Sequence, residues 1–131
     1  MPLLEVQHLK TYYKIFRGWV KAVDDIMFDV EKGEGLGLAG ESGCGKTTVS
    51  LSILRILPSN GMVIGGKIAF NGINLLEIPE EEMRDKIRWK TISIVFQGAM
   101  NALNPVLKIS DQIKEAIKLH EPETDTSEAT K

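Results

Sequence analysis

The chain is poor in several features that would have pointed elsewhere. Its 131 residues include a single cysteine, Cys44, which excludes an internal disulfide and fits a reducing compartment. No apolar run reaches the length of a membrane span, and the N-terminus lacks the charged-then-apolar pattern of a secretory leader. The protein is therefore expected in the cytoplasm. Charge of neither sign dominates: 16 Lys and Arg against 18 Asp and Glu leave a net −2, which provides no electrostatic footprint for nucleic acid. No segment repeats internally. What remains, 43% hydrophobic and 26% charged, is the composition of an ordinary soluble chain. The length suits one domain or part of a larger one.

Against this background one segment stands out: Gly40-Glu41-Ser42-Gly43-Cys44-Gly45-Lys46-Thr47, followed by Thr48. It has the full spacing of a phosphate-binding loop. Glycines let backbone N–H groups turn inward around phosphate oxygens. Lys46 can reach terminal phosphates as a compact charge, and the Thr47 hydroxyl can ligate Mg²⁺. The helix after the loop adds aligned donors and a positive dipole end. Gly35-Leu36-Gly37-Leu38-Ala39 reads as a buried strand entering the loop. Residues 48–57 carry Val49, Ile53, Leu54 and Leu57 at helical spacing and stop at Pro58. Cys44 lies where N–H groups and Lys46 favour a thiolate, although a small buried filler is the commoner fate of a free cysteine. Both readings stay open.

Along the rest of the chain, residues 3–9 mix apolar and polar positions as a half-buried strand does. Residues 10–18 are basic and aromatic, and Trp19 comes next. Residues 20–23 and 26–30 read as two strands, with a turn at 31–34 before the loop strand. Residues 58–66 read as a glycine-punctuated loop, and 67–70 as a short strand closed by Asn71-Gly72. Residues 80–89 read as a charged helix, with Pro79 near its start and three glutamates in its first turn. Residues 91–96 form a β-rich run ending at Gln97, and Ser110 is placed to cap a last helix through Leu119. From residue 121 the polar, acidic tail predicts disorder. The expected architecture is α/β: a P-loop nucleotide-binding core with an N-terminal antiparallel β subdomain, spanning residues 1–120, and then the tail 121–131. His8 and His120 read as structural or solvated, and the Glu80-Glu81-Glu82 run as a solvated helix start.

These residues carry a family resemblance. The chain resembles the ATP-binding subunit of ATP-binding cassette (ABC) transporters, most of all the oligopeptide/dipeptide importer branch. Gly-Glu-Ser-Gly-Cys-Gly-Lys is typical wording of that branch. So is Phe96-Gln97-Gly98-Ala99-Met100-Asn101-Ala102-Leu103-Asn104-Pro105-Val106, with Ile109 and Asp111-Gln112-Ile113 after it. The resemblance implies ATP and Mg²⁺ as cofactors. It implies that Tyr13, with Tyr12 as the alternative, stacks on adenine, where two flat apolar faces suit each other. It implies that Gly40, Ser42, Gly43, Cys44, Gly45 and Lys46 hold the phosphates, Thr47 binds Mg²⁺ and Thr48 bonds the α-phosphate. Gln97 would reach the Mg²⁺ or the attacking water and couple the site to membrane subunits. The implied partners are a second ATP-binding subunit, transmembrane permease subunits through the Gln97 region and, indirectly, an extracytoplasmic solute-binding protein. The implied location is the inner face of the cell membrane.

Beyond Gln97 the chain departs from that family. No Leu-Ser-Gly-Gly-Gln signature appears, no apolar run ends in Asp-Glu, and no switch histidine comes after such a pair. Phosphoryl transfer to water needs an oriented nucleophile and charge stabilisation. The expectation is therefore an N-terminal part of such a subunit that binds nucleotide without appreciable turnover, with residues 121–131 either disordered or the start of that family's helical subdomain. A non-catalytic nucleotide-binding or docking module built from a truncated cassette is the alternative. An unrelated P-loop kinase or GTPase conflicts with the wording from Gln97 to Gln112 and lacks an Asn-Lys-x-Asp guanine-reading sequence.

Overall fold

The computed structural model describes residues 1–122 except Ser42 and Cys44, with the backbone alone for Ala99 and Met100. A long hairpin of β1 (Leu4–Ile15) and β2 (Gly18–Val30) is followed by α1 (Lys46–Leu54), β3 (Gly61–Phe70) and β4 (Ile73–Asn74). Then come α2 (Glu80–Glu82), a π-helical turn (Met83–Ile87), a 3₁₀ turn (Ala99–Ala102) and α3 (Ile109–His120). The chain divides after Glu80 into two compact units.

The first unit is an antiparallel sheet in the order β2-β1-β3-β4, with α1 against β1, β2 and β3. Its core is Val6, Leu9, Val23, Val49, Leu54, Ile68, Ala69 and Leu75, all buried, together with buried Thr11, Thr48 and Ser52. The two-residue turn Asn71-Gly72 takes positive φ at both positions, 47° and 80°, the handedness that joins twisted strands. The antiparallel subdomain foreseen from the sequence is present, but its elements run longer. The two short strands at 20–23 and 26–30 are one strand, and the expected loop at 61–66 is the first half of β3.

A line of bulges explains both differences. Asp25 in β2, His8 in β1 and Gly66 in β3 have φ of 62°, 48° and 100°, and the pairing of β1 shifts on both sides there. A bulge adds one residue and reverses the alternation beyond it. Val6 is buried before the bulge, and Leu9 and Thr11 after it, so the inward set runs 6, 9, 11, 13 instead of 6, 8, 10, 12. Gly66 is required at this crossing: a β-carbon on it would stand 2.5 Å from the carbonyl oxygen of His8 and 2.7 Å from that of Gln7. The His8 ring bonds Asp25 Oδ1 through Nδ1 at 2.7 Å, which ties the two left-handed residues together.

Helix α1 begins and ends differently from the expected 48–57. It starts at Lys46 and stops at Arg55, whose φ is 54°. Arg55 N–H donates to Ser52 O at 3.1 Å and Ile56 N–H to Leu51 O at 3.0 Å, closing the last turn with a left-handed residue. A non-glycine residue in that conformation costs about 1–2 kcal/mol. The Arg55 guanidinium offsets this by donating to Leu75 O at 3.1 Å and Ile78 O at 2.7 Å.

Two expected strands are absent. Residues 35–39 form no strand, and Leu36 and Leu38 are each 46% exposed. Residues 91–96 form only an isolated bridge, Ile92 to Arg88, and Val95 is 89% exposed. A strand persists only where a neighbour satisfies its N–H and C=O groups along its length; among the described residues 35–39 pair with no strand, and 91–96 are held only at Thr91 and Ile92. Apolar content made them look like buried strands, but pairing decides.

In the second unit the expected helix over 80–89 is one α-turn that widens into the π-turn and ends at Arg88. Trp89 takes φ 70° and stacks on His120 at 5.4 Å between ring centroids. Helix α3 starts at Ile109 with Lys108 at its cap, not Ser110, and buries no residue. Gln112 on its first turns clasps the preceding loop. Its Oε1 accepts Asn104 N–H at 2.8 Å, and its Nε2 donates to Asn104 O at 3.0 Å and Leu107 O at 3.1 Å. Asn104 Oδ1 accepts Val106 N–H at 3.0 Å. Residues 123–131, nearly all of the tail, lie outside the described residues.

Candidate functional site

The loop that ends at Lys46 is built against β2. Gly45 has φ 96°, and a β-carbon there would stand 2.3 Å from Ala22 O, so only glycine permits this approach. From Gly45 the chain turns directly into α1, with Val49 N–H donating to Gly45 O at 3.0 Å. The first N–H groups of a helix lack intrahelical acceptors and carry the positive end of its dipole. The Lys46 ammonium folds back over the loop and donates to Gly40 O and, at 3.1 Å, to Glu41 O. Thr47 is exposed and Thr48 is buried, so consecutive hydroxyls face different surroundings. Ser42 and Cys44 lie outside the described residues.

Two side chains of β1 reach α1. Thr11 Oγ1 and Ser52 Oγ are 2.8 Å apart and buried, and Ser52 Oγ donates to Thr48 O at 2.6 Å. A serine has one hydroxyl proton, so Thr11 is the donor to Ser52. Two residues on, the Tyr13 hydroxyl lies 3.1 Å from Thr48 Oγ1, and its ring rests beside Gly61. The match is geometric: strand positions i and i+2 meet helix positions one turn apart. Tyr12 faces the other side, donating to Asp24 Oδ1 at 2.6 Å, with Lys21 Nζ 5.5 Å from its ring centroid. The Asp24 carboxylate that accepts its proton holds the Tyr12 phenol above its ordinary pKa.

The structure thus brings Tyr13, Gly45, Lys46 and Thr48 to one end of α1 and puts Tyr12 on the opposite face of the sheet. Gly40 contributes its carbonyl to Lys46. Gln97 belongs to the second unit, where it is exposed in a turn before Gly98, whose φ is 74°. Sequence reading did not find Thr11, Ser52 and Ala22. The first two were legible only as polar residues at apolar positions of a strand and a helix, and Ala22 carries no signal because its carbonyl makes the contact. A cleft of about 460 Å³ lined by Arg55, Leu57, Gly61 and Leu76, among others, lies at the far end of α1 and contains none of the predicted residues.

The donor set fits a polyphosphate. A helix start, a lysine that among the described residues rests on neutral carbonyls, and an exposed threonine hydroxyl all offer charge or hydrogen to anionic oxygen. Among the described residues no three His, Cys, Asp or Glu side chains converge to hold a metal ion. The exposed Thr47 hydroxyl is an oxygen donor of the kind that suits a cation carried by the anion itself, the mode of Mg²⁺ with phosphates. No helix of the described residues is long and apolar enough to cross a membrane.

A family model described as ABC transporter matches residues 23–131. The chain is 42% identical over 119 residues to a probable peptide ABC transporter ATP-binding protein of Sinorhizobium fredii, covering 90% of this chain and 35% of that protein. It is 40% identical over 118 residues to an oligopeptide transport ATP-binding protein of Escherichia coli, covering 90% and 34%. It is 36% identical over 118 residues to a dipeptide transport ATP-binding protein of Caldanaerobacter subterraneus, covering 90% and 36%. The chain thus spans about a third of the length of these relatives. With the family model covering most of its residues and relatives at 36–42% identity matching about nine-tenths of it, the chain belongs to the ABC transporter ATP-binding family.

Proposed function

We propose that this chain supplies the nucleotide-binding segment of the energy-coupling ATPase subunit of a peptide-type importer. Tyr13 stacks on adenine, backbone N–H groups from residues 43–47 and Lys46 hold the β- and γ-phosphates, Thr47 ligates Mg²⁺, and Thr48 bonds the α-phosphate. Gln97 senses the Mg²⁺ or the attacking water and faces permease subunits. The subunit works as a pair beneath those permeases, on the inner face of the membrane, and receives cargo delivered by an extracytoplasmic binding protein. The names of the relatives support a peptide cargo.

The observation that carries this reading is the Lys46 ammonium resting on the carbonyls of Gly40 and Glu41 at the start of α1. Neutral carbonyls are weaker partners for an ammonium than phosphate oxygens are, so an arriving triphosphate takes the lysine over. Tyr13 supports the base end because it sits on the α1 side of the sheet, 3.1 Å from Thr48. The 131-residue chain contains no Asp-Glu pair after an apolar run and no Leu-Ser-Gly-Gly-Gln, so it binds Mg·ATP without turnover. Calorimetry with Mg·ATP, alongside phosphate release, tests both parts. The expected result is binding without phosphate, weakened at least tenfold by Lys46→Ala. Equal binding by Lys46→Ala would overturn the loop assignment, and turnover abolished by Lys46→Ala would overturn the non-hydrolytic reading.

A further inference from the structure

The β1–β2 hairpin ends in a tip that the nucleotide site does not use. Between Glu5 and Asp24 the chain carries Lys10, Lys14, Arg17 and Lys21 and no acid, although its net charge is −2. Cross-strand register places Lys14 opposite Trp19 and Tyr12 opposite Lys21. Lysines and aromatic rings therefore share the sheet face turned away from α1. At the turn Phe16 is fully exposed, and Ile15, Trp19 and Val20 are each about half exposed. None of Lys14, Arg17 and Lys21 forms an ion pair among the described residues. Leaving Phe16 wholly and three other large apolar side chains half in water forfeits the stabilisation their burial would bring. Three unpaired cations around them would repel a second copy of the same tip.

We propose that this tip docks on an anionic lipid bilayer, with Phe16 and Trp19 entering the interface and Lys14, Arg17 and Lys21 against headgroup phosphates. The shape argues for a soft surface. A single-stranded nucleic acid needs a groove with rings laid along it, whereas here the rings and aliphatic chains lie at the exposed end of a hairpin, beyond its last pair with β3 at Tyr13. Tryptophan suits the interface because its ring is apolar and its N–H is polar. The docking does not depend on the nucleotide reading, since Tyr13 and Lys46 take no part in it.

The test uses the whole chain with vesicles of phosphatidylcholine alone and of an equal mixture with phosphatidylglycerol. Because the chain has two tryptophans, a Trp89→Phe variant leaves Trp19 as sole reporter. At about 1 kcal/mol per cation near such a surface, three cations predict affinity on the order of 100-fold higher for the anionic vesicles, falling with added salt. Trp19 emission shifts to the blue on binding. Phe16→Ser, at a position that buries nothing in the fold, weakens binding about tenfold, the cost of roughly 1.4 kcal/mol of lost burial. The combined variant Lys14→Gln, Arg17→Gln, Lys21→Gln removes the preference for anionic vesicles. No binding, equal binding to both vesicles, an unshifted Trp19, or undiminished binding by Phe16→Ser would each overturn the proposal. So would tighter binding to soluble heparin than to the anionic vesicles.

Discussion

Replacing Gly66 by alanine tests the bulge line on which the site depends. The new β-carbon would meet His8 O at 2.5 Å and Gln7 O and His8 C at 2.7 Å. These are backbone atoms of the central strand, which cannot swing aside as a side-chain tip can. Two costs add. A left-handed backbone, here φ 100°, costs an alanine about 1–2 kcal/mol, and forcing an extra carbon into a close-packed contact typically costs about 1–3 kcal/mol. The sum is a loss of about 2–5 kcal/mol. At the usual unfolding entropy per residue, a chain of 131 residues loses roughly 3.6 °C per kcal/mol, so the melting temperature falls by roughly 7–18 °C. Thermal unfolding followed by circular dichroism reads this directly. Gly35→Ala is the companion variant, since its β-carbon would meet nothing within 4 Å, and it should melt within about 2 °C of the parent. If Gly66→Ala also melts within that margin, the bulge does not constrain the register of β1, and the inward placement of Tyr13 loses its structural cause.

Three further outcomes are expected. Tyr13→Ala should weaken Mg·ATP binding about tenfold through lost stacking, while Tyr13→Phe stays within about threefold and neither changes tripolyphosphate binding. If Tyr12→Ala weakens ATP binding and Tyr13→Ala does not, the stacking residue is misassigned. In a Tyr13→Phe chain Tyr12 is the sole tyrosine, and its absorbance titration should lie above the ordinary phenol range because Asp24 accepts its proton. A raised folded pKa stabilises below the unfolded tyrosine pKa and is lost as pH rises through the folded value. Asp24→Asn should therefore lower the titration midpoint and flatten the alkaline fall in stability. Thr11→Val should cost about 1 kcal/mol in urea unfolding by removing the donor to Ser52, and Thr11→Ser should recover most of it.

The glycine turn at Gly45 and the helix that starts at Lys46 were legible because their signals are local. The loop from Gly40 to Thr48 needs only one short run of consecutive residues and a helix after it, and every signal for it lies within that stretch. Asn71-Gly72 was legible for the same reason, since a two-residue turn depends on its own backbone. Gln112 and Asn104 were readable only as family wording, and the structure supplies their physical role: a side-chain amide pairing with a loop backbone. Residues 35–39 and 91–96 were misread because apolarity is a property of a segment, whereas a strand is a property of two. Strand bounds at 20–23 and 26–30 failed because Asp25 interrupts the alternation without interrupting the pairing.

From its sequence alone this protein is determined to be a phosphate-loop chain with the wording of peptide-importer ATP-binding subunits, because glycine spacing and a lysine followed by two threonines act within a few ångströms along one stretch of backbone. Which tyrosine shares a face with that loop was decided only in three dimensions. His8 and Asp25 adopt left-handed backbone across from Gly66, one extra residue reverses the facing of everything beyond it, and Tyr13 in place of Tyr12 comes to lie against Thr48. No periodicity within β1 contains that information, because the contact that forces it comes from strands 17 and 58 residues further along the chain.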